Sequence, residues 1–228
     1  MSESFERYDA PMMAAFLRGT LKGEGRLFTA PLIELTAVDC EALLDMARAE
    51  GIKTHHFKRH ELLPRVKAVM GFLRGVQPES LLDVGSGRGV FLFPFLREFP
   101  WVPVTSLDIL KKRVEMLNAI HDGGVQNLTA LNENICEWDA PSRSFDVVTL
   151  LEVLEHIPDV AAAVKNAVRL ARRFVVVSVP SKPDDNPEHI HLLTKPLLTG
   201  LFQDAGCTDL KFDGVPGHLL MTARITRH

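Results

Sequence analysis

Short apolar runs that alternate with amphipathic stretches constrain the fold of this chain more than any other feature. The runs lie at 80–85, 104–109, 128–135, 145–151 and 174–180, and read SLLDVG, VTSLDI, LTALNENI, FDVVTLL and FVVVSVP. Strands buried on both faces of a parallel sheet have this near-continuous apolar texture. Amphipathic, helix-like segments lie between and after them, at 90–98, 111–120, 160–172 and 195–205. The alternation therefore predicts a doubly wound α/β fold with a mostly parallel sheet.

The tail of the chain does not continue this alternation. Two β-like runs follow residue 205 and are separated by the turn-forming sequence Gly214-Val215-Pro216-Gly217. Two strands without an intervening helix favour an antiparallel hairpin. We expect that hairpin at the edge of the sheet, which brings the number of strands to seven.

The first third of the chain consists of helical segments without a strand signal. Pro11, Pro31 and Pro64 punctuate these segments. We expect a helical cap or lid over residues 1–78 and one main domain over residues 79–228. Apolar side chains of this segment, such as Met12, Met13 and Phe16, would either line such a lid or form its packing core.

Composition excludes several classes of protein. Hydrophobic residues make up 46% of the 228 residues, which is enough for a substantial core, and the formal net charge is only -3. The three cysteines, Cys40, Cys136 and Cys207, are far apart and form no CxxC pair, so neither a disulfide framework nor a zinc ribbon is indicated. No signal-peptide pattern and no apolar run of membrane-spanning length is seen. We expect a cytoplasmic protein.

A glycine-rich turn follows the first predicted strand, and glycines at positions 85, 87 and 89 let the backbone approach a ligand closely. A plain strand-to-helix turn would also use glycine. The dinucleotide fingerprint GxGxxG is not completed, because Val90 stands at its last position. Asp83 and Asp108 place carboxylates near the turn, where a ligand amine and a ribose can be bound.

This turn and the strands after it resemble the class I S-adenosylmethionine-dependent methyltransferases, whose first motif is D-x-G-x-G-x-G. The resemblance covers about residues 80–227 and includes the FD that opens the fourth strand and the following LLEVLEHIPD. It implies S-adenosylmethionine as cofactor, with the methionine end at Asp83, Gly85, Ser86, Gly87 and Gly89. It places the ribose and adenine at Asp108 and Ile109, and the far edge of adenine at Asn134 and Ile135.

Charged residues after the fourth predicted strand form a second constellation. Glu152, Glu155 and His156 have the spacing i, i+3 and i+4, so one helical turn would project them to one face. We predict that Glu152 and His156 face the methyl acceptor. His189 or His191 of the next loop can approach them, and two carboxylates with two imidazoles suit Mg, Mn, Fe or Zn.

The E-x-x-E-H pattern also resembles the metal site of Hen1-type small-RNA 2′-O-methyltransferases and occurs in ubiquinone O-methyltransferases. The resemblance implies Glu152, Glu155, His156 and His191 as ligands. No double-stranded RNA-binding module is found, and the sequence around His191 departs from the small-RNA signature. Two alternatives remain open: Glu155 and His156 brace the loop, or a histidine acts as a metal-free general base.

The acceptor is not specified by these motifs. A basic stretch from Lys53 to Lys67 is either a solvated helix face or a site for an anionic group, and RNA is possible there but not required. We predict O-methylation of a small molecule. The alternatives are a cofactor-binding regulatory module without turnover and, less consistent with Val90, an NAD-type oxidoreductase.

Overall fold

A single seven-stranded sheet organises the protein. The computed structural model describes residues 9–57, 63–183 and 185–226. The strands are β1 (Leu81–Val84), β2 (Val104–Leu107), β3 (Leu128–Leu131), β4 (Phe145–Leu151), β5 (Ala171–Pro180), β6 (Asp209–Val215) and β7 (His218–Arg224). Their spatial order is β3-β2-β1-β4-β5-β7-β6, and β7 runs antiparallel to both β5 and β6. The predicted doubly wound sheet and its terminal hairpin are therefore confirmed.

Helices cover both faces of the sheet. They are α1 (Ala10–Leu21), α2 (Arg26–Thr29), α3 (Ala37–Ala49), α4 (Pro64–Val76), α5 (Leu92–Glu98), α6 (Lys111–Asp122), α7 (Val160–Leu170) and α8 (Lys195–Asp204). Short 3₁₀ turns occur at Leu32–Glu34, His55–Phe57 and Leu154–His156. Successive strand residues face opposite ways, so Leu81 joins the core under α1 and α3–α6, and Leu82 joins the core under α7 and α8.

Some element boundaries differ from the predicted ones. The helix-like segment at 160–172 was predicted to run to residue 172, but α7 ends at Leu170 and β5 already begins at Ala171. The pairing of Ala171 with Phe145 of β4 draws this segment into the sheet, and the bulge after Phe145 adjusts the register. Long-range strand pairing thus overrides the local helical pattern.

The N-terminal helices are built into the main core. Met13 of α1 is fully buried, and Phe16 contacts Phe57 with ring centroids 5.1 Å apart, so these side chains form packing core and not a cavity lining. Helix α1 packs closely against α6, because Gly19 lies directly over the carbonyl oxygen of Ala119. Among the described helices before β1, only α4 contributes residues to the large cavity at the carboxyl ends of the strands.

The topology places a crevice at the carboxyl ends of the central strands. Strand β1 lies between β2 and β4, and the chain continues from β1 to β2 on one side and enters β4 on the other. Open α/β sheets bind their ligands at this switch point. Within the described part of the chain, no helix has the length and apolar character needed to cross a membrane.

Candidate active site

A cavity of about 770 Å³ occupies the switch point between β1 and β4. Eight of the nine predicted cofactor residues line it: Asp83, Gly85, Ser86, Gly87, Asp108, Ile109, Asn134 and Ile135. Glu152 and His156 line the same cavity. The structure therefore brings the glycine turn and the predicted acceptor-facing residues into one space.

The three glycines of the turn differ in what a side chain would contact there. Gly85 has a φ of +66°, and a Cβ there would lie 2.7 Å from a methyl group of Val153. A Cβ on Gly87 would meet nothing closer than 3.7 Å, so the backbone is open at this point. Gly89 has a different role, because a Cβ there would lie 2.4 Å from the ring of Phe93. Gly89 thus allows the close packing of α5 and is not one of the residues that line the cavity.

Asp83 lies beneath the turn as a buried carboxylate. One oxygen accepts a hydrogen bond from the hydroxyl of Thr149 at 2.7 Å, and the other accepts from the hydroxyl of Ser86. Burial, with a smaller contribution from the neighbouring charge of Asp108, raises the pKa of Asp83 to about 6, although the two hydrogen bonds act to lower it. Ser86 is held in turn by Ser106 at 2.7 Å.

Asp108 follows β2 and is nearly fully buried. One carboxylate oxygen accepts the backbone N–H of Leu110 at 2.9 Å, and the other lies 3.3 Å from the guanidinium of Arg113. The next residue, Ile109, is 70% exposed although it lines the cavity. The exposed side chain of Ile109 provides an apolar surface on which a ring of a ligand can pack. The Asp108 carboxylate beside it can accept hydrogen bonds from hydroxyl groups of the same ligand.

Asn134 and Ile135 lie after β3 and not within it. The predicted run at 128–135 is a strand only as far as Leu131. The side-chain oxygen of Asn134 accepts the backbone N–H of Cys136 at 3.0 Å, and this local turn takes the backbone out of the sheet. Ile135 is buried and lines the cavity.

Glu152 is positioned by long-range contacts that the sequence pattern did not reveal. Its backbone has a φ of +58°, which is costly for a residue other than glycine and is characteristic of functional sites. Its carboxylate accepts the hydroxyl of Ser178 on β5 at 2.6 Å and lies 2.9 Å from Nε2 of His218 on β7. The sequence analysis missed His218, because no local signal links the terminal hairpin to the end of β4.

The predicted common face of Glu152, Glu155 and His156 is not formed. The helical turn begins only at Leu154, so Glu152 lies outside it and faces Ser178. Among the described residues, Glu155, His156 and His189 form the group whose possible ligand atoms all lie within 4.8 Å of one another. Glu152 is not part of this cluster, and the loop histidine in it is His189.

The loop that carries His189 is docked on the turn after β4. The backbone N–H of Ile190 donates to the carbonyl of Glu155 at 2.9 Å, and Nδ1 of His156 lies 2.9 Å from the carbonyl of Glu188. His191 points elsewhere, with Nε2 3.1 Å from the carbonyl of Ile157, which explains its absence from the cluster.

The basic stretch is only partly described. Lys58, Arg59 and His60 lie outside the described residues. Arg65, on α4, lines the cavity and was not singled out as a cofactor residue by the sequence analysis. Its proximity to the glycine turn depends on the packing of α4 and has no signature in the sequence.

Comparison with protein families decides the class of this site. A family model described as "Methyltransferase domain" matches residues 54–211. This range includes the glycine turn, the carboxylates of Asp83 and Asp108, and the cluster of Glu155, His156 and His189. The chain belongs to this methyltransferase family. The match confirms the resemblance to class I S-adenosylmethionine-dependent methyltransferases and disfavours the oxidoreductase alternative.

Individual relatives agree with the family. A ubiquinone biosynthesis O-methyltransferase of Vibrio cholerae is 31% identical over 117 residues, which are 50% of this chain and 46% of the relative. One from Paracidovorax citrulli is 33% identical over 117 residues, or 50% of this chain and 48% of the relative. The chain thus spans about half the length of the curated relatives it matches.

A solved structure shows the same fold with a product-bound cofactor site. The Burkholderia thailandensis 1,6-didemethyltoxoflavin-N1-methyltransferase, crystallised with 1,6-didemethyltoxoflavin and S-adenosylhomocysteine, superposes with a TM-score of 0.55 at 22% identity. The match covers 71% of this chain and 78% of the methyltransferase. At this identity the likeness establishes the fold and leaves the acceptor to the geometry of the site.

Proposed function

We propose that this protein transfers the methyl group of S-adenosylmethionine to a hydroxyl group of a small molecule. The observation that carries the proposal is the shared cavity, which is lined by the glycine turn, Asp108, Glu152 and His156 together. The O-methyltransferase relatives support a hydroxyl acceptor. A carboxylate and an imidazole are most useful to an acceptor that must lose a proton.

The cofactor fits the residues present. Asp108 would accept hydrogen bonds from the ribose hydroxyls, and Ile109 and Ile135 would contact the adenine. Asp83 would bind the methionine amino group at the glycine turn. The missing Cβ at Gly87 gives that ligand access to the backbone. S-adenosylmethionine, when bound, supplies a methyl group on a sulfonium, which is a good leaving group, so orientation supplies much of the rate.

The acceptor side needs a group that takes a proton. When an acceptor hydroxyl receives the methyl group, its proton would pass to the carboxylate of Glu152 or, in the protein without a bound cation, to Nε2 of His156. Nδ1 of His156 faces a carbonyl, which must accept a hydrogen bond, so Nδ1 carries the proton and Nε2 keeps its lone pair. Ser178 and His218 hold both oxygens of Glu152 in place.

The cluster of Glu155, His156 and His189 fits a divalent cation. It offers one carboxylate and two imidazoles within 4.8 Å, a donor set that favours Zn, Fe or Mn. The bond from Nδ1 of His156 to a backbone carbonyl is the arrangement that orients a metal-bound histidine. A cation bound there would lower the pKa of an acceptor hydroxyl.

Calorimetry on chelator-treated protein tests both parts of the proposal. We expect S-adenosylhomocysteine to bind the wild-type protein, and Zn²⁺ or Mn²⁺ to bind at a second site. His189→Ala, at a partly exposed position that the fold tolerates, should weaken metal binding by at least about tenfold. Glu155→Ala should do the same. Glu188→Gln is the matched control, because Glu188 contacts His156 through its backbone carbonyl.

Each outcome separates the alternatives. Absence of S-adenosylhomocysteine binding in every condition would refute the proposed function. Cofactor binding without any metal binding would leave Glu155 and His156 as supports of the loop. Binding without methyl transfer to a panel of phenols, alcohols and carboxylic acids would favour a regulatory module. The fold permits other activities, since the [4+2]-cyclase SpnF superposes with a TM-score of 0.53 over 64% of this chain and 74% of its own, at 15% identity.

A further inference from the structure

Three arginines line the cavity, and within the described part of the chain only one of them pairs with a carboxylate. Arg113 lies 3.3 Å from Asp108. Arg65 and Arg88 line the same cavity, and neither forms an ion pair with a carboxylate of the described residues. Cations that line a ligand cavity without a protein partner are suited to an anionic ligand.

The cofactor accounts for one of these two cations. S-adenosylmethionine carries a single carboxylate, and its binding at the glycine turn would bring that group to one arginine. The second arginine is then available to another anion. Arg88 is the better candidate, because its side chain is exposed while it lines the cavity, which places it at the mouth.

The surroundings of Arg88 strengthen its positive potential. The pKa of His56 is lowered, first by burial and then by the charges of His55, Arg88, Lys112 and Lys53, so each of these groups acts on His56. The rings of His55 and His56 have centroids 3.8 Å apart and are tilted by 50° to each other. This concentration of cations raises the local affinity for anions.

The exposed acids of the cavity wall are on other segments. Glu133 and Glu137 follow β3, Asp159 precedes α7, and Glu188 lies in the loop after β5. The two arginines that pair with no carboxylate of the described residues come instead from α4 and the glycine turn.

We propose that Arg88 binds a carboxylate or phosphate group of the methyl acceptor at the mouth of the cavity. The proposal rests on the proposed function, because it takes the cavity as the place of methyl transfer. It identifies the acceptor as an anion that carries a methylatable hydroxyl. The anionic group would lie at Arg88, so that the hydroxyl extends towards Glu152 and His156.

Histidine NMR provides a test that needs no acceptor. Benzoate, phenyl phosphate and inorganic pyrophosphate are titrated into protein saturated with S-adenosylhomocysteine, while the ring protons of His56, assigned with His56→Gln, are observed. We expect saturable shifts and a raised pKa of His56, since a bound anion offsets the surrounding cations. Comparison of benzoate with phenyl phosphate shows which anionic group is preferred.

Substitutions make the test specific. Arg88→Gln should weaken anion binding by about tenfold or more. Lys111→Gln is the control, because this exposed lysine lies 3.8 Å from Glu115 and does not line the cavity. Equal anion affinity in Arg88→Gln and wild type would overturn the proposal. Displacement of S-adenosylhomocysteine by the anions would also overturn it, because both arginines would then serve the cofactor.

The result is separable from the proposed function. If S-adenosylhomocysteine does not bind at all, the proposed function fails, and the same titrations without cofactor still decide whether Arg88 forms an anion site. Loss of S-adenosylhomocysteine affinity in Arg88→Gln, with anion binding retained, would assign Arg88 to the cofactor and refute its role towards the acceptor.

Discussion

Replacing Asp83 by asparagine should make the protein more stable and at the same time impair cofactor binding. Asp83 is 3% exposed, and burial raises its pKa to about 6 from an ordinary 3.8. When the pKa of a group is higher in the folded than in the unfolded state, its full contribution to stability is present at pH values below the unfolded-state pKa. This contribution is lost as the pH rises through the folded-state pKa. The native protein above about pH 6 therefore carries an unfavourable buried charge.

The magnitude follows from the two pKa values. At about 1.4 kcal/mol per pH unit, the rise from 3.8 to about 6 costs about 3 kcal/mol of unfolding free energy near pH 8. Asparagine removes the charge and keeps the shape. The NH₂ group of asparagine cannot accept a hydrogen bond, so one of the two hydroxyls that now donate to Asp83, that of Ser86 or that of Thr149, must reorient. This reorientation costs about 1 kcal/mol. We therefore expect a net gain of about 2 kcal/mol.

Urea unfolding at two pH values is the assay. The gain from Asp83→Asn should be about 2 kcal/mol near pH 8 and fall to under about 1 kcal/mol near pH 5, where wild-type Asp83 is mostly protonated. S-adenosylhomocysteine affinity should drop by about tenfold or more, because a charge-assisted hydrogen bond is lost. Asp146→Asn is the control, since this 2% exposed carboxylate contacts Arg173 at 2.8 Å and its loss should destabilise. A gain independent of pH, or no gain near pH 8, would refute the role assigned to burial.

Two further predictions concern packing and the adenine surface. Gly19→Ala should lower the unfolding free energy by about 1–3 kcal/mol in a denaturant titration, because the new Cβ would lie 1.9 Å from the carbonyl oxygen of Ala119. Gly75→Ala in α4, where nothing lies within 4 Å, should instead stabilise by up to about 1 kcal/mol, and equal effects would contradict the packing argument. Ile109→Asp should weaken S-adenosylhomocysteine binding by about tenfold or more in calorimetry, because it removes an apolar surface and adds a charge. Ile33→Asp, at a position 94% exposed and outside the cavity, should leave that affinity unchanged, and an unaltered Ile109→Asp would place the adenine elsewhere.

The sequence by itself determined the sheet and the glycine turn. Their signals are local: a run such as 145–151 is apolar because both faces of the strand are covered, and Gly85 is required because its φ is positive. The acidic residue at the end of β2 follows from the same strand-then-turn pattern. Chemistry that depends on one strand and the turn after it can be predicted from consecutive residues.

Only the tertiary structure decided which side chains meet on the acceptor side. The antiparallel insertion of β7 beside β5 brings His218 to Glu152, although 66 residues separate them in the chain. The docking of the 185–191 loop selects His189 over His191, because Ile157 engages the latter. Helical spacing grouped Glu152 with Glu155, but the positive φ at Glu152 turns the backbone before the helical turn begins. These partners are set by strand order and loop docking, which depend on contacts distant in sequence and have no periodic signal along the chain.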